Sequence, residues 1–216
     1  MLGAISALPV AAHAQAADDS IERAIKALGG RELLMRVKAL SWTGAARISV
    51  GNRMIDLTLH SHIEPFANAR TDSWLTTDTT SLRSMLLTPE GGYMQHGNSA
   101  SPLPAAQTLH ERQQYAIYGY LLLVQPGVTL TPDAGRITAS RPGLPPIRLT
   151  TDADGRIDAA DYVVAAPDGT GTIAEHVRFD GKLSDKGINW WQRMILLQNG
   201  MPYMTLTLES FAVDLA

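Results

Sequence analysis

Alternation of apolar and polar residues predicts a pair of strands early in the chain. Between residues 41 and 63 every second position is apolar or small, and a turn-forming pair, Gly51 and Asn52, interrupts the alternation. This pattern predicts an antiparallel hairpin with one buried face and one face in water. The positions on the predicted buried face are Trp42, Gly44, Ala46, Ile48, Val50, Ile55, Leu57, Leu59 and Ile63.

Apolar residues at helical spacing predict two short helices near the start and one long helix in the middle. The first spans residues 20–28, with Ser20 as its N-cap, and a second, shorter one covers residues 31–37. The long helix spans residues 105–123, follows Pro104, and ends before Pro126 and Gly127. Its apolar stripe consists of Ala106, Leu109, Gln113, Ala116, Ile117, Tyr120, Leu121 and Val124.

The remaining segments are predicted to be strands, with a linker at residues 98–104 and a polar loop at residues 180–187. Hairpin-linked strands with a few inserted helices predict an α+β fold built on an antiparallel sheet. A sheet this large is expected to curve strongly, and a helix over its concave face would enclose an apolar pocket. The further strands fall at residues 68–76, 81–88, 92–96, 129–131, 136–140, 146–151, 156–166, 172–179, 188–198 and 202–214.

The first sixteen residues are typical of a secretory signal peptide. An apolar run reaches Ala12, two small-x-small sites follow at residues 12–14 and 14–16, and the acidic residues Asp18 and Asp19 come next. No Lys or Arg precedes the apolar run, so either the start lies upstream or this segment is not a signal. The signal interpretation predicts a periplasmic protein, with residues 1–16 removed and residues 17–216 forming one domain.

Charge and cysteine content narrow the possible partners. The chain has 18 basic and 21 acidic residues, mixed along its length, and no cysteine. The absence of a basic patch argues against nucleic-acid binding, and the absence of cysteine excludes thiol catalysis and thiolate metal sites. No segment is long and apolar enough to predict a membrane-spanning helix.

Two stretches resemble periplasmic proteins of the lipoprotein-carrier, or LolA-like, superfamily. The first runs from Ala27-Leu28-Gly29-Gly30 through Leu34, Val37, Lys38 and Leu40 to Gly44. The second comprises the polar loop before Ile188, Trp190-Trp191, Gln198-Asn199-Gly200 and residues 205–208. The resemblance implies a half-open antiparallel barrel with helices over its cavity, and a capacity to hold an acyl chain or another apolar ligand. It transfers no individual binding residue.

Two histidines are the best candidates for metal ligands. His60 and His62 lie two positions apart on a predicted strand, so both side chains point to the same face. Such a pair can bind Zn²⁺ or Cu²⁺ when a third ligand is near, and His96, His110 and His176 are candidates for that ligand. The alternative is that both histidines lie on a solvated polar face.

Other catalytic and metal motifs are incomplete. Residues 110–114 read His-Glu-Arg-Gln-Gln, so Gln114 replaces the second histidine of a zinc-protease helix. Asp152-Ala153-Asp154-Gly155 begins like a calcium loop, but Val163 occupies the twelfth position, where glutamate is required, which favours a simple turn. No Gly-x-Ser-x-Gly motif occurs. We therefore assign no catalytic residue, cofactor or metal site.

The sequence favours a non-enzymatic periplasmic protein that binds a lipid or another apolar small molecule. The alternative is an exported envelope scaffold with a filled core and a protein partner, and a third hypothesis is a metal-dependent hydrolase centred on His60 and His62. The predicted floor of the binding cavity is Trp42, Ile48, Ile55, Leu57, Leu59 and Trp74, and the predicted lid includes Tyr120 and Leu121.

Overall fold

The computed structural model describes residues 10–216, with their side chains from residue 19 onward. The predicted signal peptide therefore lies partly outside the described residues. The helices are α1 (Val10–Leu28), α2 (Arg31–Met35) and α3 (Ala105–Leu121). The strands are β1 (Val37–Val50), β2 (Arg53–Ile63), β3 (Ala69–Leu75), β4 (Asp78–Leu87), β5 (Gly92–His96), β6 (Ser99–Pro102), β7 (Thr129–Asp133), β8 (Arg136–Ser140), β9 (Ile147–Thr151), β10 (Ile157–Ala165), β11 (Thr172–Asp180), β12 (Leu183–Asp185), β13 (Ile188–Trp190), β14 (Arg193–Gln198) and β15 (Met201–Leu215).

Thirteen of the described strands form one antiparallel sheet. Their order is β6-β5-β4-β3-β2-β1-β15-β14-β11-β10-β9-β8-β7, and β12 and β13 form a separate two-stranded sheet. Most neighbours are consecutive in sequence, as expected for strands joined by hairpins. The described part of the chain is therefore mostly β, with few helices, rather than an even mixture of helix and sheet. None of the described helices has the length and apolar character needed to cross a bilayer.

The two longest strands lie side by side in the middle of the sheet. β1 pairs with β2 on one side and with β15 on the other, so Leu40 is opposite both Ile63 and Val213. The β1–β2 hairpin confirms the pairing predicted from the alternation pattern, with Val50 paired to Arg53 across the turn. Val50 itself, predicted on the buried face, is 54 % exposed because it lies at the tip of the hairpin. Between Thr43 and Gly44 the register with β15 shifts at a bulge. A Cβ atom at Gly44 would lie 2.3 Å from the carbonyl oxygen of Thr207, so the close approach requires glycine.

Helix α3 packs against both halves of the sheet. It contacts β4 and β5 on one side and β10 on the other. Near its C-terminal end, Gly119 lies against the ring of Phe66, which also packs edge-on against Tyr120 at 5.2 Å between ring centroids. Leu121, Leu122 and Leu123 are fully buried just beyond. The C-terminal end of α3 is thereby fixed in the core.

Helix α1 covers a second part of the core. Its stripe of Ile21, Ala24, Ile25 and Leu28 is buried, as the helical spacing predicted. The helix contacts β13, and the side-chain amide of Asn189 donates a hydrogen bond to the Ala27 carbonyl at 2.7 Å. Behind it, Trp190 and Trp191 lie with ring centroids 4.9 Å apart. This end of the molecule is a packed aromatic core.

Several boundaries differ from those predicted. Helix α1 already includes residues 10–19, so it extends before the predicted start at Ser20, and β6 forms within the predicted linker. The predicted polar loop contains β12, which pairs with β13, so the predicted strand at residues 188–198 is divided in two. Short strands bounded by glycine carry little periodicity, which explains why the pattern did not separate them.

Candidate functional site

A cavity of about 320 Å³ lies between α3 and the sheet. Pockets that bind small molecules commonly have volumes of roughly 300–1,000 Å³. The cavity is lined by residues of β1–β5 on one side and of β10, β11, β14 and β15 on the other, with α3 across them. It is the strongest candidate for a binding site in the described part of the chain.

The sheet side of the cavity is mainly apolar. Alternate residues of neighbouring strands point into it, which is the expected consequence of strand pleating. The methionines Met85, Met94 and Met204 contribute flexible side chains that can adapt to ligands of different shape. Aliphatic and aromatic lining residues include Trp42, Leu57, Leu59, Val177, Leu196 and Leu206.

The helix side of the cavity is polar. Gln107, His110, Glu111 and Gln114 line it from α3, together with Tyr118. These positions are spaced as i, i+3, i+4, i+7 and i+11, so they lie along one face of the helix. Burial raises the pKa of Glu111 above its usual value, because a charged carboxylate loses hydration there.

Side-chain hydrogen bonds attach α3 to the strands beside it. The Nδ1–H of His110 donates to the Ala165 carbonyl at 2.7 Å, and the Ala165 amide donates to Gln113 Oε1 at 2.6 Å. On the opposite side, Arg112 donates to the Pro89 carbonyl at 2.8 Å. The helix is thus held to both flanks of the cavity by directional bonds.

Glu175 is a buried carboxylate next to the cavity. It lies on β11 opposite Tyr162 of β10, and only 2 % of its surface is exposed. Its Oε1 accepts hydrogen bonds from the side-chain amides of Gln114 and Gln198. Its Oε2 has no hydrogen-bond partner among the described residues. Such unsatisfied buried atoms are uncommon in folded proteins and call for an explanation.

Tyrosines and hydroxyl groups complete the lining. The hydroxyls of Tyr115 and Thr71 are 2.7 Å apart, and those of Thr71 and Ser61 are 2.9 Å apart. Burial raises the pKa of Tyr115, and it also raises the pKa of Tyr118. Both phenols therefore remain protonated at neutral pH and act as hydrogen-bonding groups rather than as anions.

Four of the eight predicted binding residues line the cavity: Trp42, Ile48, Leu57 and Leu59. Ile55 does not; it packs, partly buried, against the core. Trp74 lies on the other face of the sheet, where its ring packs edge-on against His60 at 5.1 Å between centroids. Pairing explains this placement, because Trp74 is opposite Thr58, whereas the lining residue Leu59 is opposite Ser73.

Tyr120 and Leu121 are core residues rather than cavity-lining ones. Leu121 is fully buried, and the Tyr120 hydroxyl donates to the Pro145 carbonyl at 2.9 Å. The predicted lid assumed that the most apolar face of α3 covers the cavity. Instead Ile117 of that face lines the cavity, whereas its C-terminal part at Tyr120 and Leu121 meets the core and Leu109 is 47 % exposed.

The histidine pair forms no metal site with other described residues. His60 packs against Trp74, and His62 Nδ1 lies 2.9 Å from Ser41 Oγ. No group of three or more His, Cys, Asp or Glu side chains within the described residues is arranged to hold a metal ion. The structure therefore offers no support for the metal-dependent hydrolase.

Sequence analysis missed the polar lining residues, although one signal was available. On β11 the buried positions alternate as Glu175, Val177 and Phe179, which places an acidic residue in an otherwise apolar set. A carboxylate at a core-facing position is rare unless it is paired or functional. The polar face of α3 carried no such signal, because polar residues on a helix usually face water.

Solved structures with this arrangement of strands were found by comparison of folds. A LolA superfamily protein from Nitrosomonas europaea superposes with a TM-score of 0.57 at 11 % identity, covering 93 % of this chain and 94 % of that one. The chain has the LolA-like fold. This confirms, at the level of the fold, the resemblance of the opening and closing motifs.

Two further structures share the LolA-like fold. One is a provisionally named outer membrane lipoprotein-sorting protein domain from Vibrio parahaemolyticus. It superposes with a TM-score of 0.51 at 7 % identity, covering 92 % of this chain and 93 % of that one. The other is a DUF1329 family protein from Desulfovibrio piger, with a TM-score of 0.51, 8 % identity and the same coverage. No protein-family model and no curated protein matches the sequence.

Proposed function

We propose that the protein is a periplasmic binding or carrier protein for an acyl chain or another apolar ligand, and that it catalyses no reaction. The observation that carries this proposal is the cavity of about 320 Å³ beneath α3, with its apolar wall on the sheet. The name of the Vibrio domain, which refers to sorting of outer membrane lipoproteins, is consistent with such a role. The signal-like residues 1–16 support export to the periplasm, with residues 17–216 forming the mature domain.

The proposal includes a sheet that curves around α3 as a half-open barrel. The helix contacts β4 and β10, which are separated in the sheet by β3, β2, β1, β15, β14 and β11. In a flat sheet those two strands would be roughly 34 Å apart, since neighbours are spaced by about 4.8 Å. A helix with its side chains is only about 10–12 Å across. Strong curvature accounts for contact with both strands.

Binding would be driven by burial of apolar surface. Each CH₂ group transferred from water into the cavity contributes about 0.8 kcal/mol, so a short stretch of acyl chain gives useful affinity. The methionines allow chains of different length or branching to fit. No covalent chemistry is required for a ligand that is only held and released.

The test uses a substitution that fills the cavity and a matched one that does not. Ala46 is buried and lines the cavity, whereas its neighbour Ala45 is exposed on the opposite face of β1. The protein comprising residues 17–216, and its Ala46→Phe and Ala45→Phe variants, would each be titrated with N-phenyl-1-naphthylamine, a neutral apolar dye. We expect Ala46→Phe to weaken dye binding about tenfold or more and Ala45→Phe to leave it unchanged.

Native mass spectrometry of protein purified from the periplasm without detergent would then identify a bound ligand. Co-purifying mass that solvent extraction resolves to a fatty acid, phospholipid or isoprenoid would support the carrier function. A clean apo mass, together with no binding of dye or added lipid, would refute it. The envelope scaffold with a protein partner would then be the better explanation.

A further inference from the structure

The cavity has two facing walls of opposite character. One wall is the row of polar residues on α3, which consists of Gln107, His110, Glu111, Gln114 and Tyr118. Because a helix rises about 1.5 Å per residue, this row extends over roughly 16 Å. The facing wall, on the sheet, is mainly apolar. The polar groups are therefore distributed along the cavity rather than gathered at one end of it.

Three polar atoms of this row have no hydrogen-bond partner among the described residues. Within the described part of the chain, His110 bonds only through Nδ1, which leaves Nε2 available, although the residue is only 6 % exposed. Gln114 bonds there only through Nε2, as the donor to Glu175, which leaves Oε1 available. The Tyr118 hydroxyl likewise bonds no described residue. None of these atoms is sealed in the core, in contrast to the Trp42 indole nitrogen. A ligand in the cavity can therefore reach them.

The charged groups in the lining favour neither a cation nor an anion. The charge of Glu111 is opposed by His110 and Arg83, and burial raises the pKa of Glu111 toward its neutral form. Arg83 is itself exposed, so water weakens its electrostatic field. What the cavity offers a ligand is therefore hydrogen bonding along one wall and apolar contact along the other, rather than a net charge.

An unbranched acyl chain would match only one of these two walls. If it packs along the sheet, its CH₂ groups also displace water from the polar row of α3 and supply no hydrogen bond in return, which is unfavourable. A single polar head at the end of the chain would satisfy only the part of the row beside it. Hydroxyl groups spaced along one edge of a ligand, with an apolar surface on the opposite edge, would match both walls. A rigid skeleton would hold those hydroxyls in place at a smaller entropic cost on binding.

We propose that the cavity binds a facial amphiphile, meaning an uncharged polycyclic lipid whose hydroxyl groups lie on one face, toward α3, while its other face packs on the sheet. This inference rests on the proposed function, since it names the ligand class of the same cavity. Hydroxyl groups suit the row because they can donate to His110 Nε2 and Gln114 Oε1 and accept from the Tyr118 hydroxyl. The methionines of the sheet wall can adapt to the uneven surface of fused rings.

Two isomeric probes separate the placement of hydroxyl groups from overall composition. Methyl chenodeoxycholate carries both of its hydroxyls on the same face of the steroid skeleton, whereas methyl ursodeoxycholate carries one on each face. Each ester would be used to displace N-phenyl-1-naphthylamine from the wild-type protein, with dodecanol as an uncharged probe that has one polar group at the end of a chain. We expect methyl chenodeoxycholate to bind at least about fivefold more tightly than its isomer, because only it can direct both hydroxyls to α3. Dodecanol should bind more weakly than methyl chenodeoxycholate.

Two variants shorten the polar row of α3 from either end without changing its charge, Tyr118→Phe and Gln107→Leu. In at least one of them the preference for methyl chenodeoxycholate over its isomer should fall to about twofold or less, because a hydrogen-bonding group is lost. Tyr93→Phe is the matched control, because it removes the hydroxyl of an exposed tyrosine on β5 that does not line the cavity. This control should keep the full preference.

Equal binding of the two isomers, tighter binding of dodecanol, or an unchanged preference in both row variants would overturn the inference. The dye and the probes still bind in each of those cases, so the proposed function would stand. If neither the dye nor any probe binds, the inference and the proposed function fail together. Each variant is required to have a native circular dichroism spectrum, and the use of two variants keeps the test decisive if one of them does not fold.

Discussion

Leu121→Ala tests whether the C-terminal end of α3 is core or lid. Leu121 is fully buried, so the substitution deletes apolar contacts on all sides. Fully buried Leu→Ala changes cost about 2–5 kcal/mol, and we take the middle of that range, about 3–4 kcal/mol. For a chain of this size each kcal/mol lowers the melting temperature by about 2–4 °C. We therefore expect a decrease of roughly 6–16 °C.

The assay is urea unfolding followed by circular dichroism, with Leu109→Ala as the control. Leu109 is on the same helix but is 47 % exposed, so its truncation should cost less than about 1 kcal/mol. The urea midpoint should fall for Leu121→Ala without a change in slope. If Leu121→Ala lowers the free energy of unfolding by less than about 1 kcal/mol and also weakens dye binding, this reasoning is refuted and Leu121 belongs to the lid over the cavity.

Two further substitutions test the sheet and the cavity. Gly44→Ala should destabilise the protein by about 1–3 kcal/mol in urea unfolding, because its Cβ would meet the Thr207 carbonyl; an unchanged midpoint would contradict this close approach. Burial raises the pKa of Glu111 above 4.5, so its favourable contribution to folding is complete below about pH 4.5 and is lost as the pH rises through the raised value. The Glu111→Gln variant should therefore have the same free energy of unfolding as wild type in acid and a higher one toward neutral pH. If the melting temperatures of the two proteins change in parallel with pH, the raised pKa is disproved.

Strong periodicity made the hairpins and the long helix predictable. The β1–β2 hairpin follows from strict alternation around Gly51 and Asn52, and α3 ends two residues before the predicted boundary. Both features are determined by residues that are close together in the sequence. Glycine-bounded strands such as β12 depend on what packs beside them, and local pattern did not resolve them.

The cavity was harder to predict than the fold because it depends on which face each element presents. Strand parity placed Trp42, Leu57 and Leu59 on the face of the sheet that lines the cavity. It failed for Trp74, because the predicted strand at residues 68–76 carried no register with β2, and the pairing places Trp74 opposite Thr58 on the other face of the sheet. For α3 the usual rule that a helix turns its polar face to water does not hold, because the face that carries Glu111 lines the cavity.

The pairing of β1 with β15 has a consequence for how the chain folds. The backbone amide of Thr43 donates to the Ser210 hydroxyl at 3.2 Å, joining residues 167 positions apart in the middle of the sheet. Contacts of such long range slow folding into the range of milliseconds to seconds or beyond, because a large loop must close first. Until β15 is in place, β1 and β14 each present an unpaired edge. The newly made chain is therefore exposed longest to strand-to-strand aggregation at the position that becomes the centre of the native sheet.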